Sequence, residues 1–206
     1  MPRRIVVWLR TALRLFKRKK GWIEVITGCM FAGKTEEFLR RCNLVRIAGQ
    51  SLLVFQPAID DRYGVGNIKS HNDRSMPAIV VGNSRELWKR VLANPKTQVV
   101  GISEGQFFDL DLPKVCRELV NLSIRVIVEG LDMDFRGEPF GPMPQLLAMA
   151  KEVSKLTAIC EICKSPEATM TQRLINGKPA PADSPVVLVG GKEAYQACCA
   201  DCHIVP

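Results

Sequence analysis

The eight residues from position 28 to position 35 have the types and spacing of a loop that binds phosphate. They read Gly-Cys-Met-Phe-Ala-Gly-Lys-Thr and fit the pattern G-x-x-x-x-G-K-[ST]. Glycines let such a loop curl so that its N–H groups face the phosphates, while Lys34 reaches the outer phosphates and the Thr35 hydroxyl holds Mg²⁺. The residues predicted to bind phosphate are therefore Gly28, Cys29, Met30, Phe31, Ala32, Gly33, Lys34 and Thr35.

A strand before this loop and a helix after it would hold the loop in place. Residues 22–27 are short and rich in β-branched and aromatic side chains, which is typical of a strand. Apolar residues recur at helical spacing over residues 35–48, and Gly49 stands where a helix C-cap glycine belongs. The order strand, loop, helix favours a nucleotide site over the alternative, an ordinary glycine-containing turn with a surface lysine.

The same alternation of strands and helices continues over residues 21–150. It predicts an α/β fold with a mostly parallel sheet flanked by helices, as in phosphate-loop nucleoside triphosphatases, and ligands beyond the carboxyl ends of the strands. The predicted strands are residues 22–27, 51–55, 78–81, 98–102 and 125–128. The predicted helices are residues 35–48, 84–93, 112–122 and 143–153, with Ser84 as an N-cap.

Glu104 is the acidic residue that belongs at the same edge of this sheet. It follows the predicted strand at residues 98–102, so its carboxylate should face the phosphates. A carboxylate there can act as a general base, or it can hold Mg²⁺ through water. A solvated loop glutamate is the alternative.

Two Cys-x-x-Cys pairs near the C-terminus indicate a structural zinc site. Each pair puts two thiolates on one metal, and two pairs close a tetrahedral site that leaves no open position for chemistry. The 35 residues between the pairs are predicted to project as a lasso-like loop that the metal clamps at its base. The predicted ligands are Cys160, Cys163, Cys199 and Cys202.

Other cysteines and a histidine leave alternatives open. Cys198 and His203 could replace one of the four ligands, although a packed cysteine and a surface histidine agree better with the spacing. Either pair taken alone could instead be a redox site. Cys29, Cys42 and Cys116 are expected to be small apolar residues of the core.

The net charge of +8 belongs entirely to the first twenty residues, which contain eight basic residues and no acidic one, whereas the remaining chain carries 21 of each. This distribution argues against nucleic acid as a partner. Residues 1–20 are predicted to be a disordered or partner-packed extension, with an amphipathic helix on an anionic membrane or a targeting peptide as alternatives. Residues 21–150 then form the nucleotide domain and residues 151–206 the zinc-binding domain. A nucleotide loop also indicates a reducing cytoplasm, so no disulfide framework is expected.

Several collinear motifs make the chain similar to a known family. Residues 28–35, 58–63, 70–72, 104–108, 130–137 and 155–158, together with both cysteine pairs, resemble the type II thymidine kinases. The likeness runs in order over residues 22–203, which is nearly the whole chain without its basic extension.

This resemblance implies that ATP phosphorylates the 5′-hydroxyl of thymidine, with Mg²⁺ and structural Zn²⁺ as cofactors, in a homotetramer inhibited by dTTP. It implies Glu104 as the general base. Around the phosphates it adds Ser103, Gln106, Asp60 and Arg62, the last two with an internal salt bridge as the alternative. The residues implied to contact thymidine are Leu131, Phe135, Phe140, Thr171, Val186, Val187, Leu188, Val189 and Tyr195, of which the first three could equally belong to the core.

The chain departs from the family at Ser103, because the family usually has an aspartate directly before the catalytic glutamate. That aspartate orders the water shell of magnesium, and losing such a group costs roughly 10–100-fold in activity or metal affinity. The departure predicts a slow kinase or an altered metal dependence, in which Ser103→Asp raises kcat unless Asp60 compensates. Gln56 stands where bacterial members commonly have lysine.

Three other functions stay open on the sequence. Another nucleoside kinase or an ATPase would share the phosphate loop. A zinc-ribbon module that binds nucleic acid would need a basic stripe, but residues 151–206 are nearly neutral. An inactive paralogue is supported by Ser103 alone, whereas the intact phosphate loop and Glu104 oppose it.

Overall fold

The computed structural model describes residues 20–59, 66–69, 74–188, 190–191 and 193–206. The predictions for the basic extension up to residue 19 lie outside the described residues, and so do those for Asp60, Arg62 and Val189. No helix in the described ranges is long and apolar enough to cross a membrane.

Helices and strands alternate along the first three quarters of the chain. The strands are β1 (Ile23–Gly28), β2 (Leu52–Pro57), β3 (Asn67–Lys69), β4 (Ser75–Pro77), β5 (Ile79–Val81), β6 (Val99–Ile102), β7 (Arg125–Gly130), β8 (Glu152–Leu156), β9 (Met170–Ile175), β10 (Lys178–Pro179) and β11 (Tyr195–Cys198). The helices are α1 (Lys34–Ile47), α2 (Ser84–Leu92), α3 (Leu112–Asn121) and α4 (Met143–Met149), with 3₁₀ turns at Gly105–Phe107 and Ala200–Cys202.

The central sheet confirms the predicted fold class. Its six strands within the described residues are all parallel and lie in the order β5-β2-β6-β7-β1-β8. Strands β1 and β6 are buried along their whole length, as expected for strands covered on both faces. The carboxyl ends of β1, β6 and β7 meet at one edge, and the candidate site lies there.

Each face of the sheet has its own apolar layer because successive side chains of a strand point to opposite faces. On one face, alternate residues of β1, β6 and β7 pack against helices α2, α3 and α4. On the other face, the intervening residues pack against α1 and the β3–β4 hairpin. Cys42 and Cys116 are buried in these two layers, which confirms their prediction as core residues.

The structure corrects two local predictions. The N-cap of α2 is Asn83, whose side chain accepts the Glu86 N–H, and not Ser84. Ser84 is the first helical residue, and its hydroxyl donates to Asp109 at 2.6 Å. Both residue types are good N-caps, so the sequence could not separate the two positions. Gly49, in contrast, has φ +69° directly after the C-cap of α1, as predicted.

The predicted helix over residues 143–153 is wrong in its second half. Helix α4 ends at Met149, and residues 152–156 form β8, which pairs in parallel with β1. The charged and aliphatic residues of this segment favour helix locally, but the free edge of β1 offers backbone hydrogen bonds that override the preference. The sixth strand of the sheet therefore comes after residue 150, where the sequence predicted a domain boundary.

A second, smaller sheet follows the central one. Strand β9 pairs antiparallel with both β10 and β11. This sheet lies within the segment between the two cysteine pairs and rests on the phosphate loop, because Cys29 packs with Cys160, Ala168 and Cys198. Cys29 is buried as predicted, but in this junction and not in the layers beside the central sheet.

Candidate active site

The phosphate loop connects β1 to α1 and depends on glycine at two positions. Gly28 has φ +139°, and a Cβ there would lie 2.2 Å from the backbone oxygen of Leu156. Gly33 is the N-cap of α1 in the left-handed conformation. Lys34 is buried, and its Nζ donates to the carbonyl of Cys29 at 2.8 Å, so the lysine already curls over the loop. The positive end of α1 adds to this anion-binding geometry.

Glu104 lies beyond the end of β6, on the sheet edge next to this loop. Its backbone is left-handed, with φ 51° and ψ 48°. Gln106 holds the side chain, since its Nε2 donates to Glu104 Oε2 at 2.6 Å while its Oε1 accepts the Leu131 N–H at 3.0 Å. Gln106 was predicted beside the phosphates; its hydrogen bonds tie Glu104 to the end of β7.

A second acid, Glu129, lies at the end of β7 and was missed as a site residue. Its Oε1 accepts the hydroxyl of Ser103 at 2.6 Å and the N–H of Glu104 at 3.3 Å. Burial raises the pKa of Glu129 to about 7, and the nearby charge of Glu104 adds to this, while Lys34 opposes it. The available signal was a glutamate directly after the apolar strand at residues 125–128.

Seven of the nine residues predicted to contact thymidine line one pocket, which they share with Glu104, Gln106 and Met30 of the phosphate loop. They are Leu131, Phe135, Phe140, Thr171, Val186, Leu188 and Tyr195. Val187 is exposed and does not line the pocket. The pocket therefore joins the end of the central sheet to the segment between the cysteine pairs.

Arg173 is a pocket residue that the sequence did not single out. It is buried, and its guanidinium stacks on the Phe135 ring at 4.5 Å. Its Nη2 donates to the Tyr195 hydroxyl at 2.6 Å and to the Val186 carbonyl at 2.9 Å, and Nη1 donates to the carbonyl of Pro185. Arg173 thus fastens residues 185–186 over the pocket. Phe107, Asp134 and Gly190 also line it and were not predicted.

The phosphate loop and the segment between the cysteine pairs are hydrogen bonded to each other. The N–H of Met30 donates to the Thr171 hydroxyl at 3.0 Å, and the Cys29 thiol donates to the Ala168 carbonyl at 3.3 Å. Because Met30 and Thr171 also line the pocket, a ligand bound there would contact both parts of the molecule.

The four predicted metal ligands lie together. The sulfur atoms of Cys160, Cys163, Cys199 and Cys202 are all within 4.8 Å of one another. The N–H groups of Cys163 and Cys199 lower the pKa of the Cys160 thiol to about 6, so a thiolate forms readily. A group of four cysteines with this spacing is typical of a structural zinc site.

The two alternative ligands lie elsewhere. Cys198 is buried outside this group. His203 is half-buried outside this group, and its Nε2 lies 2.8 Å from the carbonyl of Phe135.

A parallel sheet with a phosphate loop, and a pocket beside that loop, define a phosphate-loop α/β protein. A family model described as "Thymidine kinase" matches residues 21–203. The chain therefore belongs to the thymidine kinase family, whose members are phosphotransferases that act on thymidine.

Two solved structures share a weak likeness to the chain. The ATPase DotB of Legionella pneumophila is 13% identical, with a TM-score of 0.39, over 66% of this chain and 37% of its own length. The Pif1 helicase of Candida albicans is 13% identical, also with a TM-score of 0.39, over 71% of this chain and 38% of its own length. At these values, neither likeness says anything about what the chain acts on.

Proposed function

We propose that the chain transfers the γ-phosphoryl group of ATP to the 5′-hydroxyl of thymidine, with Glu104 as the general base. The observation that carries this proposal is that Glu104 and Met30 line the same pocket. A nucleoside in this pocket has a carboxylate at one wall and the phosphate loop at another. Phosphoryl transfer needs this kind of positioning more than covalent help from the protein.

Each part of the site has a separate task. Lys34 and the N–H groups of the loop bind the phosphates of ATP. Glu104 accepts the proton of the attacking hydroxyl, and Gln106 keeps the carboxylate in place by donating to Oε2. The residues present fit a magnesium ion, because a buried oxygen of Glu129 on this edge has no hydrogen-bond partner among the described residues. Thr35 would hold the ion, which would neutralise charge on the transferring phosphate.

The segment between the cysteine pairs closes the site over thymine. Structural Zn²⁺ on the four cysteines fixes the base of this segment, while Arg173 fixes residues 185–186. Hydrogen bonds from this segment to the base would discriminate among nucleosides, because a wrong base would leave buried polar groups unpaired. Phe135 and Leu131 supply apolar walls. A homotetramer, inhibition by dTTP and a cytoplasmic location stay predictions from the family resemblance.

A coupled kinase assay tests the reaction and the base together. Wild type should convert ATP and thymidine to ADP and dTMP, and should prefer thymidine to deoxyuridine, deoxycytidine and deoxyguanosine. Glu104→Gln keeps the shape of the side chain but cannot take the proton, so kcat should fall by about 10²–10⁴-fold. Glu138→Gln removes an exposed carboxylate and should leave kcat unchanged. Full activity of Glu104→Gln, or preference for another nucleoside, would contradict the proposal.

A further inference from the structure

Glu129 is a fully buried carboxylate with too few hydrogen-bond partners. One oxygen, Oε1, accepts from Ser103 and Glu104. The other, Oε2, has no hydrogen-bond partner in the described part of the chain. Burying an unpaired polar atom is unfavourable. The usual partner of such an atom is a bound cation or an ordered water.

The position of Glu129 indicates that the partner of this oxygen belongs to the phosphate site. Strands β6 and β7 are in register with Ile102 beside Val128, so Ser103 and Glu129 come next to each other at the carboxyl ends of the two strands. Among the described residues, the charges of Glu104 and Lys34 act on Glu129. The carboxylate therefore lies beside the predicted general base and within the electrostatic range of the phosphate-loop lysine, at the sheet edge where a metal that accompanies a nucleotide belongs.

We propose that Glu129 is the positioning acid of this site, which holds the water shell of the nucleotide's magnesium ion from the end of β7. This inference rests on the proposed function. The Ser103 hydroxyl orients the carboxylate by donating to Oε1, which leaves Oε2 free to accept from a magnesium-bound water. The end of β6 has a neutral residue at 103, and the neighbouring strand supplies the negative charge in its place.

This assignment changes the expectation for Ser103→Asp. An aspartate at 103 would bring a second carboxylate against Glu129, whose Oε1 is 2.6 Å from the present Ser103 hydroxyl. Two carboxylates this close repel each other. The single change should therefore fail to raise kcat, whereas Ser103→Asp combined with Glu129→Ala moves the acid from one strand end to the next.

Calorimetric titration with ADP, with and without Mg²⁺, tests the role of the charge. In Glu129→Gln the affinity for Mg²⁺·ADP should fall by about 10–100-fold. The affinity for metal-free ADP should stay equal or rise, because a negative charge near the phosphates is gone. Glu138→Gln is the matched control, since it removes an exposed carboxylate that follows the same strand, and both affinities should be unchanged. A merely structural role would move the two affinities together or leave both unchanged.

The double variant and the folding controls complete the test. Ser103→Asp/Glu129→Ala should recover most of the magnesium dependence, and Ser103→Asp alone should not. Thermal denaturation and thymidine affinity should show each variant folded. Equal Mg²⁺·ADP affinity in wild type and Glu129→Gln would overturn the inference and leave the proposed function standing. No gain in ADP affinity from Mg²⁺ in wild type would also overturn the inference, whereas the coupled kinase assay tests the proposed function separately.

Discussion

Two glutamates are buried at opposite ends of adjacent strands in the central sheet, and their surroundings differ. Glu24, near the start of β1, accepts hydrogen bonds on both oxygens from Arg125, at 2.7 and 2.9 Å. Arg41 adds a bond at 3.1 Å and Trp22 one at 2.6 Å. Among the described residues, Glu129, at the end of β7, receives hydrogen bonds on one oxygen only.

The two carboxyl groups also ionise differently. Burial acts to raise the pKa of Glu24, but hydrogen bonds from Arg125 and Trp22 outweigh it and hold the pKa below its usual value. Burial raises the pKa of Glu129 to about 7, and the charge of Lys34 opposes this only in part. A buried charge whose partners are all in the protein contributes to the fold, whereas one left without partners indicates a ligand.

The group of four cysteines extends this comparison, and a substitution in it should give the largest effect of the variants discussed below. Four cysteine sulfurs within 4.8 Å of one another are typical of a structural zinc site, whose thiolates are stabilised by the metal. Cys199→Ala should lose the metal and weaken thymidine binding at least about tenfold, because the metal fixes the base of the segment over the pocket. Elemental mass spectrometry and calorimetry measure the two quantities.

Cys198→Ala is the control for this experiment. Cys198 is the adjacent buried cysteine and lies outside the group, so the variant should retain one metal per chain. If Cys199→Ala still bound one metal ion per chain, the four cysteines would not form the expected metal site, and the comparison would not apply to them.

Removing the charge of Glu24 should give the next largest effect. Glu24→Gln leaves Arg41 and Arg125 with less compensation, and should lower the free energy of unfolding by about 3 kcal/mol. Urea denaturation followed by circular dichroism measures this. Glu152→Gln removes a carboxylate that is 59% exposed and 3.6 Å from Arg41, and should leave stability unchanged. Equal stability of Glu24→Gln and wild type would break the distinction between the two glutamates.

The pH dependence of stability should differ in sign at the two glutamates, with a smaller effect. Without metal, Glu129 stays protonated in the folded protein up to a pKa of about 7, while the unfolded chain ionises near 4.5. Wild type should therefore lose about 2–3 kcal/mol relative to Glu129→Gln as the pH rises from about 5 to about 8. The lowered pKa of Glu24 acts in the opposite direction, so the deficit of Glu24→Gln should shrink as the pH falls below about 4.5.

Denaturation curves at matched pH values check this prediction. The difference between each variant and wild type cancels the contributions of other groups. Parallel curves for Glu129→Gln and wild type across this range would mean that the carboxyl group is solvated, and the contrast with Glu24 would then be wrong.

The parts that the sequence predicted correctly depend on short-range chemistry. The phosphate loop needs glycines and a lysine at set spacings, and residues 28–35 have them. Two Cys-x-x-Cys pairs have few alternatives to one common metal site, and the four sulfurs lie together. Apolar runs of strand length predicted five of the six strands of the central sheet within a few residues.

The parts that the sequence missed depend on contacts between distant segments. Residues 152–156 became a strand because β1 offered a free edge, which no local pattern reveals. Glu129 was visible as an acid after a strand, but the unpaired oxygen of its carboxylate is apparent only once the described residues have packed around it. Arg173 was not singled out from the sequence, because only the fold places its guanidinium over the Phe135 and Tyr195 rings.

Residue types and spacing were enough to predict the fold class and to single out the phosphate loop, the four cysteines and Glu104 as candidate site residues, because a few consecutive residues carry each of these signals. Burial and hydrogen-bond partnership could not be read in the same way, since they arise only when strands and loops far apart in the chain pack together. For this reason the sequence presented Ser103 as a missing acid, whereas the folded chain shows a second acid, Glu129, held beside it by the Ser103 hydroxyl.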